Sequence, residues 1–291
     1  MAEKKKHTVA MSGSTGFVGR RLHKVLQEKG WDIIPLDRKD FSSATQELAR
    51  KIEGADVVIN LAGAPIIKRW SAGYKKVLYD SRISVTRKLV AACGEMTVKP
   101  GVFISTSAIG FYNDDGQHTE KKFVRSDTFL GNLTEKWEKE AMQAESLGVR
   151  TVIFRFGVIL GKNGGALQQM LLPFKLGLGG RIGNGSQPFS WIHMEDLMQA
   201  YISAINTPSF QGAYNLTSPQ PATNRGLTKA LGKALCRPTF FRVPHLILQL
   251  QFGEGATVLT GGQRVFPERL LESKFKFKYT SIEEAIKDCV S

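Results

Sequence analysis

The first half of the chain alternates between short apolar runs and longer amphipathic stretches. The apolar runs predict five strands, at 8–11, 31–36, 56–61, 102–106 and 151–156. Helical periodicity separates them, most clearly over 42–52, 75–93 and 128–147. The run at 56–61 is almost uninterrupted, as in a parallel strand that is buried on both faces. Strands that alternate with helices predict an α/β fold with a doubly wound parallel sheet.

The second half of the chain predicts shorter and more scattered elements. Helices are expected at 223–235, 245–252, 254–259 and 281–289. Extended segments are expected at 213–217, on a sheet edge or in a smaller lobe, and at 240–244. Phe275, Phe277 and Tyr279 alternate with lysines, a pattern that predicts a strand with one buried face.

A glycine-rich turn follows the first predicted strand directly and opens the first predicted helix. A helix N-terminus offers unpaired backbone N–H groups and a partial positive charge, and glycine lets a phosphate approach the backbone. Strand, turn and helix in this order predict a pyrophosphate cradle, with a bare structural turn as the alternative. The expected cofactor-binding residues of the cradle are Gly13, Ser14, Thr15, Gly16, Phe17, Val18 and Gly19.

The second predicted strand ends in three charged residues, Asp37, Arg38 and Lys39. At this position an acid usually binds the ribose hydroxyls of NAD, whereas a base favours the 2′-phosphate of NADP. Asp37 alone indicates NAD(H), but Arg38 follows at once and its planar fork suits a phosphate. We therefore expect NADP(H) before NAD(H), with all three residues at the cofactor; a charged turn without a ligand is the alternative.

Small and polar residues follow the next strands at the same edge of the sheet. Ligands of parallel α/β sheets bind outside the carboxyl ends of the strands, so these residues are candidates for cofactor contacts. Arg155, at the end of the fifth strand, can meet a phosphate or pair with an acid, and both alternatives stay open. The expected contacts are Asn60, Leu61, Ala62, Gly63, Ser105, Thr106 and Arg155.

The glycine turn and the segments 60–63 and 105–108 resemble, in order, the strand-end motifs of the extended short-chain dehydrogenase/reductase superfamily. The resemblance implies that Ser107 polarises a substrate carbonyl. It also implies a Tyr-x-x-x-Lys helix, in which the tyrosine donates a proton and the lysine holds the nicotinamide ribose. Asn132 stands at the expected tyrosine position, 25 residues past Ser107, and Lys136 keeps the lysine position.

The asparagine changes the expected chemistry, because an amide cannot release a proton near neutral pH. Tyr112, in the loop above the sheet, is the nearest substitute proton donor; its alternative role is to pack over the nicotinamide. The catalytic candidates are therefore Ser107, Lys136, Asn132 and Tyr112.

The second half narrows the resemblance to an atypical subfamily of extended reductases, through segments such as Gly164-Gly165-Ala166-Leu167 and Trp191-Ile192-His193. Members are named epimerase-family or nucleoside-diphosphate-sugar-epimerase-like proteins, sometimes labelled cell-division-inhibitor-like, and are generally associated with NADP(H). The resemblance implies a Rossmann-like domain over 1–160, with parts of 186–220 returning to it. A smaller C-terminal substrate lobe is then expected from 161–185 and 221–291.

Two functions are consistent with these residues. The first is an NADP(H)-dependent oxidoreductase or epimerase-like enzyme that acts on a small carbonyl or nucleotide-sugar-like substrate. The second, favoured by Asn132, is an NADP(H)-binding sensor or scaffold that acts through a protein partner. Gln187, Trp191 and His193 are candidates for the cleft, although His193 and Asp196 are expected mainly to support the scaffold.

Composition and charge narrow the range of partners. The net charge of +14 comes from 40 Lys and Arg dispersed among 26 Asp and Glu, without a nucleic-acid-binding motif. We therefore expect solvated surface charge and sites for anionic small molecules, and no dedicated nucleic-acid function. No apolar run has the length of about 18 residues that a membrane span needs, and no signal peptide is visible, so a cytoplasmic monomer or homodimer without a membrane partner is expected. Three widely spaced cysteines indicate reduced thiols and no metal site.

Overall fold

The computed structural model describes residues 7–291, and its largest element is a six-stranded parallel sheet. Within those residues the strands are β1 (Thr8–Ser12), β2 (Asp32–Leu36), β3 (Val57–Asn60), β4 (Val102–Ala108), β5 (Gln117–His118), β6 (Arg150–Phe156), β7 (Val158–Leu160), β8 (Gly180–Ile182), β9 (Pro188–Phe189), β10 (Trp191–His193), β11 (Gly212–Leu216), β12 (Ala222–Thr223), β13 (Phe241–Val243) and β14 (Arg264–Val265). The order across the sheet is β11-β6-β4-β3-β1-β2, with every neighbouring pair parallel. The remaining strands form four small pairs: β10 with β7, β12 with β9, β13 with β8, and β14 with β5.

Helices connect the strands and cover the sheet. In the described part of the chain they are α1 (Phe17–Glu28), α2 (Thr45–Ile52), α3 (Ala72–Tyr79), α4 (Val85–Glu95), α5 (Phe129–Met142), α6 (Gly165–Lys175), α7 (Met194–Asn206), α8 (Asn224–Leu235), α9 (His245–Phe252), α10 (Thr257–Thr260), α11 (Glu268–Glu272) and α12 (Ile282–Val290). None of these helices is long and apolar enough to cross a membrane.

The predicted Rossmann-like α/β fold is confirmed, and most of its elements lie where the periodicity placed them. The five predicted strands are β1, β2, β3, β4 and β6, and the strand expected at 213–217 is β11 at the sheet edge. The long helix expected at 75–93 is divided into α3 and α4 by a π-helical turn, Asp80–Ser84. The division of the chain into a domain and a lobe remains a prediction.

The strand predicted from the alternation of Phe275, Phe277 and Tyr279 is wrong. These residues have no strand partner, although Phe275 and Phe277 pack against the main core with their ring centroids 4.8 Å apart. The Asp196 carboxylate accepts the backbone N–H groups of Lys278, at 2.6 Å, and Tyr279, at 3.0 Å. The Asp196 carboxylate therefore accepts the backbone hydrogen bonds that a neighbouring strand would otherwise accept.

The core forms on both faces of the sheet, because successive side chains of a buried strand point to opposite faces. Met11 packs with Leu22 of α1 on one face. Ala10 packs with Leu48 of α2 on the other face. A separate cluster joins α6, α8 and α12 outside the sheet, and Trp191 of β10 is fully buried in it.

Two glycines allow the first turn to fold against its neighbours. Gly13 has a φ of +69°, in the left-handed region that favours glycine. A Cβ on Gly13 would lie 2.7 Å from the carbonyl oxygen of Leu61, at the end of β3. A Cβ on Gly19 would overlap the carbonyl oxygen of Gly13 and lie 2.8 Å from the Cα of Ser14. The turn is therefore packed too tightly for side chains at these two positions.

We expect Gly19→Ala to lower the free energy of unfolding by about 1–3 kcal/mol, the usual cost of overpacking. Gly73→Ala is the matched control, because Gly73 also lies in the first turn of a helix and the nearest atom to its added Cβ is 3.9 Å away. Alanine there should leave stability unchanged or raise it by up to about 1 kcal/mol. Urea unfolding of both variants tests this, and equal losses would contradict the packing argument.

Candidate functional site

The glycine turn joins β1 to α1 at the carboxyl edge of the sheet. Helix α1 begins after Gly16 with neither a side-chain cap nor an acidic residue in its first turn. Side chains cap α3, α5, α7, α8 and α12, whereas α2, α6, α9 and α11 lack such a cap, as α1 does; α1 differs from these four in following the glycine turn at the end of β1. The N-terminus of α1 therefore presents its backbone N–H groups to an external acceptor, and its dipole favours an anion there.

Behind the turn, Asn60 and Ser12 form a buried hydrogen-bonded pair. The Ser12 hydroxyl donates to the Asn60 side chain at 2.7 Å, and the Asn60 amide donates to Thr86 at 2.7 Å. Ser12 also accepts the backbone N–H groups of Leu61 and Ala62, each at 3.2 Å. Asn60 is fully buried, so its side chain supports the carboxyl edge of the sheet (the rim) from inside the protein. It does not contact a ligand directly, contrary to the sequence-based expectation.

Ser105 is buried, whereas Thr106 is half-buried and its expected cofactor contact stays a prediction. Ser105 is 1% exposed, and Thr106 lies 3.5 Å from the hydroxyl of the fully buried Tyr201. Ala62 and Gly63, in contrast, are accessible at the end of β3. The rim that faces solvent is therefore formed more by small residues than by hydroxyl groups.

The charged residues after β2 divide into two roles. The Asp37 carboxylate accepts the backbone N–H groups of Lys39, at 2.7 Å, and Asp40, at 3.4 Å. The bond from Lys39 lowers the pKa of Asp37, so the carboxylate is ionised and used by its own turn. Arg38 and Lys39 are exposed, and no carboxylate pairs with them within residues 7–291. A phosphate is the anion that this pair of cations suits.

Phe17 connects the glycine turn to the second half of the chain. Its ring is enclosed by the loop before α6, where a Cβ on Gly164 would overlap the ring and a Cβ on Gly165 would lie 2.7 Å from it. Gly161 approaches the same ring, since its Cβ would lie 3.0 Å away. The ring therefore acts as a packing surface between the cradle and α6.

Ser107, the expected catalytic serine, is buried in a hydrogen-bonded ion pair. Its hydroxyl donates to Oε1 of Glu138 at 2.6 Å, and Ser107 is only 1% exposed. Glu138 is paired in turn with Arg155 of β6 through two hydrogen bonds, of 2.8 Å and 2.6 Å. The hydroxyl that was expected to polarise a substrate is thus committed to a protein carboxylate.

Tyr112 extends the same network and is fully buried. Its hydroxyl accepts from Arg155 at 2.8 Å and donates to Asn215 of β11 at 2.7 Å. Burial raises the pKa of Tyr112 to about 12, so the phenol is a poor proton donor near neutral pH. Neither expected role of Tyr112, as proton donor or as an aromatic over the nicotinamide, fits this position. Arg155 pairs with an acid, which was the alternative to a cofactor phosphate.

Asn132 and Lys136 project from α5 at other angles than Glu138, the residue of this helix that binds Ser107. Two residues turn a helix by about 200°, and Glu138, which binds Ser107, is two residues past Lys136. Asn132 and Lys136 are exposed, and Asn132 bonds to the preceding loop at Arg125 and Asp127. The Ser107 hydroxyl thus bonds to Glu138 and not to this pair, and Nζ of Lys136 lies 5.7 Å from the ring centroid of Tyr79 on α3. The cofactor and catalytic roles expected for Asn132 and Lys136 stay predictions.

The face of α5 directed toward the end of β4 carries Leu130, Thr134 and Glu138, which are four residues apart. Leu130 packs against Gly110, just after β4, and Thr134 bonds to carbonyls of its own helix. This face carries no tyrosine and no lysine. The face of α5 that contacts Ser107 thus offers a carboxylate and no tyrosine–lysine pair.

Arg82 is a candidate contact that the sequence patterns did not identify. It lies in the π-helical turn Asp80–Ser84 and donates to the Ala64 carbonyl at 3.0 Å. A Cβ on Gly63 would lie 3.3 Å from its guanidinium, and burial lowers the pKa of Arg82 to about 10. No acid pairs with it in the described chain. Because π-turns often mark functional sites, this cation beside Gly63 is a candidate ligand contact.

The residues predicted for the second-half cleft serve mainly as scaffold. Trp191 is fully buried, so it does not face a cleft, and the Gln187 amide donates to the Ile182 carbonyl. His193 caps α7 by accepting the Glu195 N–H through Nδ1 at 3.3 Å. The scaffold interpretations of His193 and Asp196 therefore agree with their observed partners.

A cluster of potential metal ligands, which the cysteine spacing did not predict, lies beside this helix start. Ligand atoms of His193, Asp288 and Cys289 lie within 4.8 Å of one another. However, Nδ1 of His193 accepts an N–H from Glu195, so the proton of the neutral ring is on Nε2. That nitrogen lies 3.4 Å from the Asp288 carboxylate but is buried without a hydrogen-bond partner among the described residues, and a protonated Nε2 is not a metal ligand.

Comparisons with known proteins cover nearly the whole chain. A family model described as the NAD dependent epimerase/dehydratase family matches residues 9–217, and a domain of unknown function, DUF1731, matches residues 243–289. Epimerase family protein SSP1921 of Staphylococcus saprophyticus is 36% identical, over 96% of this chain and 98% of its own. The chloroplastic SDR39U1 homolog of Arabidopsis thaliana is 37% identical, over 96% of this chain and 86% of its own.

A solved structure that is more than 30% identical is similar along nearly its full length. The crystal structure of human epimerase family protein SDR39U1 with NADPH superposes with a TM-score of 0.89 at 32% identity. The match covers 97% of this chain and 98% of the human chain.

The buried ion pair gives a stability prediction. Glu138→Ala leaves the Arg155 guanidinium buried without its acid, which should lower the free energy of unfolding by about 3–5 kcal/mol. Glu140→Ala is the control. Glu140 lies on α5, as Glu138 does, but it pairs with the exposed Arg87 of α4, so its loss should cost less than about 1 kcal/mol. Denaturant unfolding of the two variants measures the difference, and similar costs would contradict a central role for the buried pair.

Proposed function

Because the chain belongs to the NAD dependent epimerase/dehydratase family, we propose that it binds NADP(H) and acts as an atypical extended reductase or epimerase-like enzyme. Its substrate is a small carbonyl compound or a nucleotide-sugar-like molecule. The observation that carries the cofactor part is the uncapped N-terminus of α1 behind a turn that has no room for side chains at Gly13 and Gly19.

The pyrophosphate would be held by backbone N–H groups of residues 13–19. This fits the chain, since Gly13 and Gly19 close the turn tightly and α1 has no side-chain cap that competes for these donors. Arg82 would add a cation beside Gly63 on the path toward the end of β4. These contacts are the same for NAD(H) and NADP(H), so they do not choose between the two.

The choice of NADP(H) rests on the residues after β2. The Asp37 carboxylate accepts backbone N–H groups of its own turn and is therefore a poor partner for ribose hydroxyls. Arg38 and Lys39 beside it are exposed cations. These two side chains would hold a 2′-phosphate. The human relative, whose structure contains NADPH, supports the same choice.

At the nicotinamide end the cofactor would supply hydride transfer, and the chain's own residues would mainly orient the substrate. Ser107 and Tyr112 cannot act as free donors while Glu138 and Asn215 hold their hydroxyl protons. The small residues after β3, Ala62 and Gly63, leave space at the carboxyl edge of the sheet. We therefore propose that water or a group on the substrate supplies the proton.

A second candidate function is an NADP(H)-binding sensor or scaffold that acts through a protein partner. The commitment of both hydroxyls to a buried network favours it, because that network stabilises the fold without needing a substrate. The two functions share the cofactor site and differ in turnover.

Arg38 provides the test of cofactor choice. NADPH should bind more tightly than NADH, and Arg38→Ala should weaken NADPH binding by about 10- to 100-fold, as expected for a lost charge-assisted hydrogen bond. NADH binding should be unchanged. Arg50→Ala, at an exposed cation on α2, is the control and should alter neither affinity. Isothermal titration calorimetry measures both cofactors; equal affinities in the unmutated protein would overturn the preference.

Turnover separates the two candidate functions. NADPH oxidation is followed with a panel of small carbonyl compounds, and epimer formation with a panel of nucleotide sugars. The enzyme proposal expects turnover with at least one class. The rate should be unchanged in Asn132→Ala, because the Asn132 amide bonds to the loop before α5 and cannot release a proton near neutral pH. Tight NADPH binding without turnover across both panels would reject the enzyme and support the sensor.

A further inference from the structure

The exposed large apolar side chains concentrate in one part of the molecule. Within residues 7–291 thirteen such side chains are exposed, and eight of them lie between residues 172 and 250. We call these eight the lobe patch. Their exposed fractions run from 42% to 75%, and they are Leu172, Leu176, Leu178, Phe240, Phe241, Leu246, Ile247 and Leu250.

The elements that carry the lobe patch are joined to one another. Strand β13, with Phe241, pairs with β8, which begins two residues after Leu178. The Arg237 side chain donates to the Lys175 carbonyl at the end of α6, at 3.0 Å. Helix α9 follows β13 directly, and a Cβ on Gly183 would overlap the ring of His245 at the start of α9. The patch therefore spans α6, β13 and α9 as one connected region.

Helix α9 is the most unusual part of this region. Its sequence is His-Leu-Ile-Leu-Gln-Leu-Gln-Phe, yet none of its residues is buried. An apolar helix of a water-soluble fold is normally covered, and large exposed apolar surfaces mark interaction sites. α9 begins the segment that matches the domain of unknown function, to which the proposed cofactor site assigns no role.

The charge of this region is one-sided. Residues 161–185 and 221–253 contain eight Lys or Arg and no Asp or Glu. Lys175, Arg237 and Arg242 lie within the elements of the patch and are exposed, and none has an acidic partner in the described chain. All 26 Asp and Glu of the chain lie outside these two segments. The lobe patch is thus apolar and cationic together.

This combination selects the occupant. A second copy of the chain would bring two cationic surfaces together, which is unfavourable at an apolar contact. Aliphatic and phenylalanine side chains on α9 and its neighbours, with lysine and arginine on the neighbouring elements, form the combination of apolar surface and positive charge that an anionic bilayer surface attracts. We propose that the lobe patch docks the protein on an anionic membrane surface, with α9 in the plane of the interface.

The size of α9 is consistent with surface docking. Its eight residues span about 12 Å, far less than a bilayer core, and no helix of residues 7–291 can cross a membrane. The sequence pattern predicted that the net positive charge is solvated surface charge. In this proposal, the local excess of Lys and Arg around the lobe patch attracts the anionic membrane surface. The docking is independent of NADP(H) and does not rest on the proposed function.

Vesicle co-sedimentation of the full chain tests the proposal. Vesicles of phosphatidylcholine alone are compared with vesicles in which about one third of the lipid is phosphatidylglycerol. The protein should bind the anionic vesicles and leave the neutral ones in solution. Raising the salt from 0.05 M to 0.5 M, design values at which the screening length shrinks from roughly 14 to 4 Å, should weaken binding.

Variants locate the surface. Leu250→Ser should weaken binding roughly tenfold through lost apolar burial, and Arg242→Gln about fivefold through one lost charge. Val98→Ser is the matched apolar control, since Val98 and Leu250 are both 69% exposed, and Lys276→Gln is the charge control. Both controls should bind as the unmutated protein does, and NADPH affinity should be the same in all four.

Four outcomes would overturn the proposal. They are equal binding to neutral and anionic vesicles, no binding to either, equal losses in the patch and control variants, and self-association in the absence of vesicles that Leu250→Ser abolishes. The last outcome would assign the patch to a second copy of the chain. Because cofactor affinity is measured in parallel, failure here leaves the NADP(H) proposal intact.

Discussion

The buried ion pair between Glu138 and Arg155 holds together the carboxyl edge of the sheet. It joins helix α5 to β6, and through Ser107 and Tyr112 it reaches β4 and, by way of Asn215, β11. A buried pair is weak support for stability unless its remaining hydrogen bonds are satisfied, and here both hydroxyl groups satisfy them. Much of the proposed site's geometry depends on this network, because the loop after β4 is anchored to it.

The two ends of the proposed cofactor site differ in construction. At the adenosine end, α1 leaves its N-terminus uncapped, and exposed Arg38 lies beside a turn that Asp37 stabilises. At the nicotinamide end, Ser107 and Tyr112 are withdrawn into the protein. The site is therefore open and cationic where a nucleotide would bind, and the hydroxyls of Ser107 and Tyr112 are closed off where a substrate carbonyl would be polarised. This contrast explains why cofactor binding is the firmer part of the proposed function.

Sequence reasoning succeeded where the cause is local. The glycine turn, the buried strands and most helices follow from periodicity and from the conformations that glycine allows. It failed where a distant partner decides the outcome. Glu138 and Arg155 are 17 residues apart, and their pairing, which sets which face of α5 meets Ser107, has no local signal. Asp196 likewise replaces a strand partner for the segment after Phe277, and the π-turn that carries Arg82 leaves no mark in the hydrophobic pattern.

A crystal structure of the chain with NADPH tests the central claim most directly. The account predicts the pyrophosphate at the N-terminus of α1, against the backbone of Gly13 to Gly19, and the 2′-phosphate within hydrogen-bonding distance of Arg38. It also predicts that Ser107 remains bonded to Glu138. A nucleotide bound away from the α1 N-terminus would contradict the account, as would a 2′-phosphate held by residues other than Arg38 and Lys39.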